Sequence, residues 1–71
     1  MAKQITLHGF PVQYEDNAFE GIRYLRDDLD YNEARVFFDQ ARERGSAPFE
    51  DDADRQYTLL YRAGVYTLVR R

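Results

Sequence analysis

Two helix start signals lie close together in the middle of the chain and limit how it can fold. Asn17 followed by Glu20, and Asp30 followed by Glu33, each have the form of a capping box. In a capping box the first side chain accepts a hydrogen bond from a backbone N–H of the first turn, and the glutamate reaches back to the cap. The second box begins as soon as the first helix pattern ends. The pattern therefore predicts two helices joined by a very short, tight turn.

Apolar residues recur at helical spacing after each start signal. The first predicted stripe is Ala18, Ile22, Leu25 and Leu29, and the second is Ala34, Phe37, Phe38 and Ala41. Spacings of three and four residues place each stripe on one helix face. Gly45 follows the second stripe, where glycine adopts the left-handed conformation that ends many helices. We expect both stripes to face the core.

The segment before the helices is strand-like. Ile5 and Leu7 alternate with polar residues over 4–8, which predicts a short strand with these two side chains buried. Pro11 cannot donate a ladder hydrogen bond, so Val12 and Tyr14 are expected to extend this path only as an edge. After the helices, residues 46–54 are predicted to form a polar loop anchored by the single large apolar residue Phe49.

The chain closes with two β-prone runs, 55–62 and 65–71, which predict a hairpin. A two-residue turn at Ala63-Gly64 pairs Tyr61 with Tyr66, whereas a three-residue turn pairs Tyr61 with Val65. This one-residue slip exchanges the faces of the last strand. We favour the two-residue turn because it groups five large side chains on one face: Tyr57, Leu59, Tyr61, Tyr66 and Leu68.

The element order is strand, helix, helix, strand, strand. It predicts a single α+β domain over residues 1–71, a small two-layer fold with a helical hairpin on one face of a three-stranded, mainly antiparallel sheet. Seventy-one residues lie near the lower end of what folds alone. Since the chain has no cysteine, its core must be held by aliphatic and aromatic packing.

Charge is segregated along the chain. All thirteen acidic residues lie within 15–54, and the net charge is −3. The flanking strands carry only basic charges: Lys3, Arg55, Arg62, Arg70 and Arg71. Acidic residues are depleted in strands, so secondary structure accounts for much of this pattern. What remains is a basic, tyrosine-rich C-terminal hairpin.

Residue types suited to catalysis are sparse. The one serine (Ser46) and the one histidine (His8) lie in different segments, and the four glycines do not form a phosphate-binding loop. The acidic loop 50–54 lacks the spacing and the central glycine of a calcium-binding loop. We therefore expect a non-enzymatic protein without metal or cofactor.

No apolar run approaches the roughly 20 residues that span a bilayer, and the first residues lack the apolar stretch of a secretion signal. The sequence predicts a cytoplasmic protein with no membrane association.

These features favour a protein-interaction module. Helices cover only one face of a small sheet, so the other face of the hairpin is expected to contact another protein or a second copy of the chain. The predicted interaction surface is Thr58, Leu60, Arg62, Val65, Thr67, Val69 and Arg70.

The alternative is a DNA-binding regulatory domain. The element order resembles that of a winged helix-turn-helix domain without its first helix, which would make 34–44 the recognition helix and 62–64 the wing tip. However, Glu33, Asp39 and Glu43 on the same surface would repel phosphates. Single-stranded nucleic acid on the tyrosine- and arginine-bearing hairpin is a further candidate, disfavoured by the negative net charge.

Overall fold

A computed structural model describes residues 3–71. Two helical segments follow the first two strands. The first segment is a 3₁₀ turn (Asp16–Ala18), helix α1 (Phe19–Arg23) and a π-helical turn (Tyr24–Asp28), and the second is helix α2 (Tyr31–Arg44). The strands are β1 (Lys3–Leu7), β2 (Phe10–Tyr14), β3 (Ser46–Glu50), β4 (Gln56–Arg62) and β5 (Val65–Arg70).

The five strands form one sheet in the order β1-β2-β5-β4-β3. All neighbours are antiparallel except β2 and β5, which run parallel. The predicted small α+β fold with two helices is confirmed. The predicted number of three strands and the β-α-α-β-β order are wrong: the sheet has five strands, two of which precede the helices. Its pairing is mixed, with three antiparallel pairs and one parallel pair.

The two strands that were not predicted, β2 and β3, each contain a proline. In each strand the proline lies where no neighbouring strand needs a backbone N–H from it. Pro11 pairs with Thr6 of β1, but the pairing of β2 with β5 begins only at Val12. Because β2 lies between β1 and β5, it is an interior strand and not the predicted edge. Pro48 lies in β3, which is an edge of the sheet. Residues 46–50 thus form a strand where a loop was predicted, although the expected anchor Phe49 is buried.

The start of α2 follows the sequence pattern. The Asp30 carboxylate accepts a hydrogen bond from the Glu33 backbone N–H at 2.8 Å, and the Asp30 N–H donates to the Glu33 carboxylate at 3.1 Å. Gly45 ends the helix with φ of 85°. The capping box at Asn17 is wrong. The first segment already turns at Asp16, closed by a backbone hydrogen bond from Ala18 to Glu15 of 2.9 Å, so Asn17 lies inside the turn.

The first helical segment ends in the π-helical turn, and a histidine from the turn between β1 and β2 hydrogen-bonds to its end. The Leu29 N–H donates to the Tyr24 carbonyl at 3.2 Å, and the Asp30 N–H is used by Glu33. The Leu25 carbonyl accepts instead from His8 Nε2 at 2.9 Å. This bond ties the end of the first helix to the β1–β2 turn.

The C-terminal hairpin has the two-residue turn that we favoured. Tyr61 pairs with Tyr66, and Leu59 pairs with Leu68. Ala63 has φ of 52°, and the following glycine is also left-handed, as a two-residue hairpin turn of this kind requires.

The core lies between the helices and one face of the sheet. Aromatic rings connect the layers: Phe38 of α2 stacks on Phe10 at 4.4 Å and meets Tyr66 edge-on at 4.9 Å. Both predicted helix stripes are buried except for Leu29 and Phe37, which are half-buried. No helix within residues 3–71 is long and apolar enough to cross a membrane.

Candidate docking face

Strand alternation divides the sheet into a covered side and an open side. Leu68 of β5 and its partner Leu59 of β4 are fully buried beneath the helices. Thr67 alternates with Leu68 and therefore points away from the helices, opposite Leu60 of β4. We call this second side, centred on Thr58, Leu60, Thr67 and Val69, the open face.

The structure places six of the seven predicted surface residues on the open face. They are Thr58, Leu60, Arg62, Val65, Thr67 and Val69. Arg70 is the exception. It alternates with Val69 and pairs with the fully buried Tyr57, so it lies on the helix side of the sheet. The hairpin register places Arg70 on the wrong side for that surface.

The open face is wider than the sequence indicated because two further strands contribute to it. Gln13 of β2 lies beside Thr67, and Pro48 of β3 lies beside Thr58. The sequence did carry a weak signal for β3, since Ala47 and Phe49 are two residues apart and are flanked by the polar residues Ser46 and Glu50. The proline between them obscured that signal.

Charged side chains lie only at the ends of the open face. Arg62 stands at one end of β4. At the other end, Gln56 donates to the Glu50 carboxylate at 3.1 Å and accepts from Arg71 at 3.1 Å. Between these ends the open-face residues are threonine, valine, leucine, proline, glutamine and serine. In a chain with 32% charged residues, such an uncharged stretch sets this surface apart.

The centre of the open face is partly apolar. Leu60 is 36% exposed, and Val65 and Val69 are half-buried by their neighbours within the sheet. Beside Leu60 lies a surface depression of about 420 Å³, which Gly45 and Thr67 also line. A partner could therefore bury both a flat apolar area and a protruding side chain here.

The outer surface of the helices has a different character because many of its charges pair with one another. Arg35 lies 3.3 Å from Asp39, and Arg23 lies 3.5 Å from Glu20. Arg35 lies on the helix that the winged-helix alternative would use for recognition, and its guanidinium already has an acidic partner. Exposed pairs of this kind contribute only about 0.2–1 kcal/mol each.

The structure does not bring the sparse catalytic residue types together. His8 lies in the turn after β1 and Ser46 begins β3, so they belong to opposite edges of the sheet. The His8 ring is engaged with the Leu25 carbonyl. Within residues 3–71, no group of three or more His, Cys, Asp or Glu side chains could hold a metal ion.

The acidic loop after β3 is organised around one buried carboxylate. Asp51, whose side chain is 3% exposed, accepts hydrogen bonds from the Ala53 and Arg55 backbone N–H groups at 2.9 and 3.0 Å. It also accepts from Arg55 Nε at 2.8 Å and from the Tyr57 hydroxyl at 3.2 Å. Burial raises the pKa of Asp51, but these hydrogen bonds outweigh burial and hold it below its ordinary value.

No protein-family model, curated protein or solved structure matches this chain. What the open face does must therefore be argued from the chemistry of its own residues.

Proposed function

We propose that this chain is a small non-enzymatic interaction module that docks on another protein through its open face. The observation that carries the proposal is the uncharged centre of that face, which no element of residues 3–71 covers. Five strands spaced about 4.8 Å apart, with roughly 17–20 Å of strand length, present about 400–500 Å². This is the area of the whole face, and its apolar part is the smaller central area around Leu60, Val65 and Val69; exposed apolar patches often serve in binding.

The residue types indicate what kind of partner fits. Threonine and valine on a flat sheet offer methyl groups and few hydrogen-bonding groups, so a partner gains most by covering them with its own neutral surface. A charged surface would lose its hydration over the threonines and valines of the face, because the charges of the face lie at its ends, where Arg62 also lines the depression beside Leu60. Arg62 and Glu50 at the two ends would instead orient the partner. The preferred partner is therefore a protein with a neutral, partly apolar face.

Photo-crosslinking in the cells that make the protein tests this proposal. A benzoylphenylalanine at Thr67 should give one discrete adduct, identified by mass spectrometry and formed again from the purified pair. The same probe at Arg35, on the outer surface of α2, is the matched control and should give no such adduct. Leu60→Lys, placed in the Thr67 probe background, should abolish the adduct without lowering the melting temperature by more than a few degrees.

Equal adducts from Thr67 and Arg35, or none from Thr67, would overturn the proposal. An adduct that survives Leu60→Lys would do the same, because a lysine in the centre of the docked surface would have to be buried without a partner.

A further inference from the structure

The two edges of the sheet differ in whether they can accept another strand. At the β3 edge, the Tyr61 N–H donates to the Gly45 carbonyl at 3.1 Å. Backbone direction alternates along a strand, so the other odd-numbered residues of β4 also direct their N–H and carbonyl groups toward β3. Ala47 and Phe49 pair with those residues, so Pro48 turns its backbone outward. A proline in that position has no N–H to offer. The β3 edge is thus blocked at its centre.

The β1 edge has no such block. Leu7 and Phe10 flank the two-residue turn between β1 and β2, and in a two-residue hairpin the flanking pair exchanges hydrogen bonds. Alternation then directs the backbone groups of Gln4 and Thr6 away from β2, into open space at the edge. Both residues keep their N–H and carbonyl groups. Lys3 carries the one charged side chain of β1, and it pairs with Asp16 at 2.9 Å.

We propose that a second copy of the chain adds to this edge, with the two β1 strands antiparallel and centred on Ile5. Gln4 of each copy then pairs with Thr6 of the other, and each pair exchanges two hydrogen bonds. The two-fold axis is perpendicular to the sheet, so the five-stranded sheets join into one continuous sheet.

Charge favours a second copy as the occupant. In this register Lys3 of one copy faces Leu7 of the other, so the two lysines do not meet. Residues 4–7 carry no charge. A strand of the same sequence therefore meets no like charge at this edge.

Exposed aromatic rings lie near both ends of β1. At one end, Phe19 is 40% exposed and lies 6.2 Å from Tyr14, the register partner of Lys3. At the other end, Tyr31 is 48% exposed and lies 6.1 Å from His8. The two-fold axis exchanges the ends, which brings the Phe19 end of one copy beside the Tyr31 end of the other. In the dimer, the exposed rings of Phe19 and Tyr31 from different copies therefore lie near one another.

The blocked edge limits the assembly to two copies. Because only β1 can accept a strand, pairing uses the β1 edge of both copies and leaves the two blocked β3 edges, so no fibre can grow.

The axis also leaves both open faces on the same side of the joined sheet. The dimer does not depend on the docking function proposed above, but it would present that face twice.

Sedimentation equilibrium of the purified chain over roughly 10–500 µM tests the dimer. Small edge interfaces are weak, and we expect a dissociation constant on the order of 100 µM. Thr6→Pro removes an outward N–H that serves no bond within the chain and should weaken association at least about tenfold. Glu50→Pro makes the same change at the blocked β3 edge and should leave association unchanged.

Amide hydrogen exchange of the wild-type chain, measured at several protein concentrations, is a second test that needs no substitution. The Gln4 and Thr6 amides should exchange more slowly as concentration rises, and the Glu50 amide should not. A chain that stays monomeric up to 500 µM, with concentration-independent exchange, overturns the proposal. A dimer that persists in Thr6→Pro but is lost in Leu60→Lys also overturns it and assigns the interface to the open face.

Discussion

Replacing Gly21 with alanine tests how tightly the first helix is packed on the sheet. A Cβ at this position would lie 2.9 Å from two ring carbons of Tyr57 and 3.0 Å from a methyl carbon of Leu68. Carbon atoms in good contact lie about 3.5–4.0 Å apart. The added methyl group therefore requires α1 or the sheet to move.

The Tyr57 ring cannot easily give way. It is fully buried and stacks on Phe49 with ring centroids 5.5 Å apart. Its hydroxyl donates to the buried Asp51 carboxylate at 3.2 Å. Displacing the ring would lengthen that hydrogen bond and disturb the loop that Asp51 organises.

Two opposing magnitudes decide the outcome. Alanine in place of glycine favours a helix by up to about 1 kcal/mol. Overpacking a filled core costs about 1–3 kcal/mol, and here two neighbours are crowded at once. We expect Gly21→Ala to lower the free energy of unfolding by about 1–2 kcal/mol, which for a chain of this size lowers the melting temperature by roughly 5–15 °C.

Urea unfolding of four proteins makes the measurement specific: wild type, Gly21→Ala, Leu68→Val and the double variant. Leu68→Val removes the methyl carbon that the new Cβ would meet, so the double variant should be more stable than the sum of the two losses predicts, by at least about 0.5 kcal/mol. Glu20→Ala, on the neighbouring half-exposed position, is the control and should change stability little. If Gly21→Ala is as stable as wild type, the close approach of α1 to the sheet is refuted.

Three further substitutions have defined outcomes. Asp51→Ala should lower the free energy of unfolding by about 2–4 kcal/mol at pH 7, measured with urea, because it leaves buried donors without an acceptor. The folded pKa of Asp51 lies below its ordinary value, so its contribution to stability is complete above the ordinary value and is lost as pH falls through the folded pKa. Equal losses at pH 7 and pH 2 would contradict this. Ala63→Asn should raise stability by about 0.5–1 kcal/mol, because asparagine tolerates the left-handed φ of 52° better than alanine; an unchanged melting temperature would count against it. Asp52→Asn should raise the melting temperature at pH 7. Only the protonated form of Asp52 can donate a hydrogen bond to the Asp28 carboxylate, which raises the folded pKa of Asp52, so the folded chain disfavours the charged form, and wild-type stability should recover as pH falls through that raised value. The difference between Asp52→Asn and wild type should therefore shrink at low pH, and a constant difference would refute the shared hydrogen bond.

Features encoded by near neighbours in sequence could be predicted. The capping pair of Asp30 and Glu33, the helix stop at Gly45 and the hairpin turn at Ala63 each depend on residues within a few positions of one another. Their hydrogen bonds form within one turn, so local residue types can identify them, although the same pattern at Asn17 and Glu20 did not form a capping box.

Strands whose neighbours are distant in sequence could not be predicted. β2 is an interior strand only because β5, more than fifty residues later, lies beside it, and no pattern near Pro11 reveals that neighbour. Pairing of such distant segments is decided by the whole sheet. The same limit hid the width of the open face, because the strand at Pro48 reads as a loop until β4 is placed against it. Arg70 is a different case. It alternates with Val69, and the register that the sequence favours already places it on the helix side with Leu68, so its assignment to the predicted surface was inconsistent with that register.

The position of β5 has a consequence for how the molecule assembles. The last strand in sequence is the middle strand of the sheet, and it alone joins the β1–β2 hairpin to β4 and β3. As the chain leaves a ribosome, both helices and four strands emerge before the strand that unites them. The N-terminal hairpin must therefore wait, with the edge of β2 from Val12 to Tyr14 unpaired, until residues 65–70 arrive. The complete sheet should therefore form in a single step, after β5 is available. Shortening β5 by even a few residues should separate the two halves of the sheet, whereas the same change in an edge strand would affect only that edge.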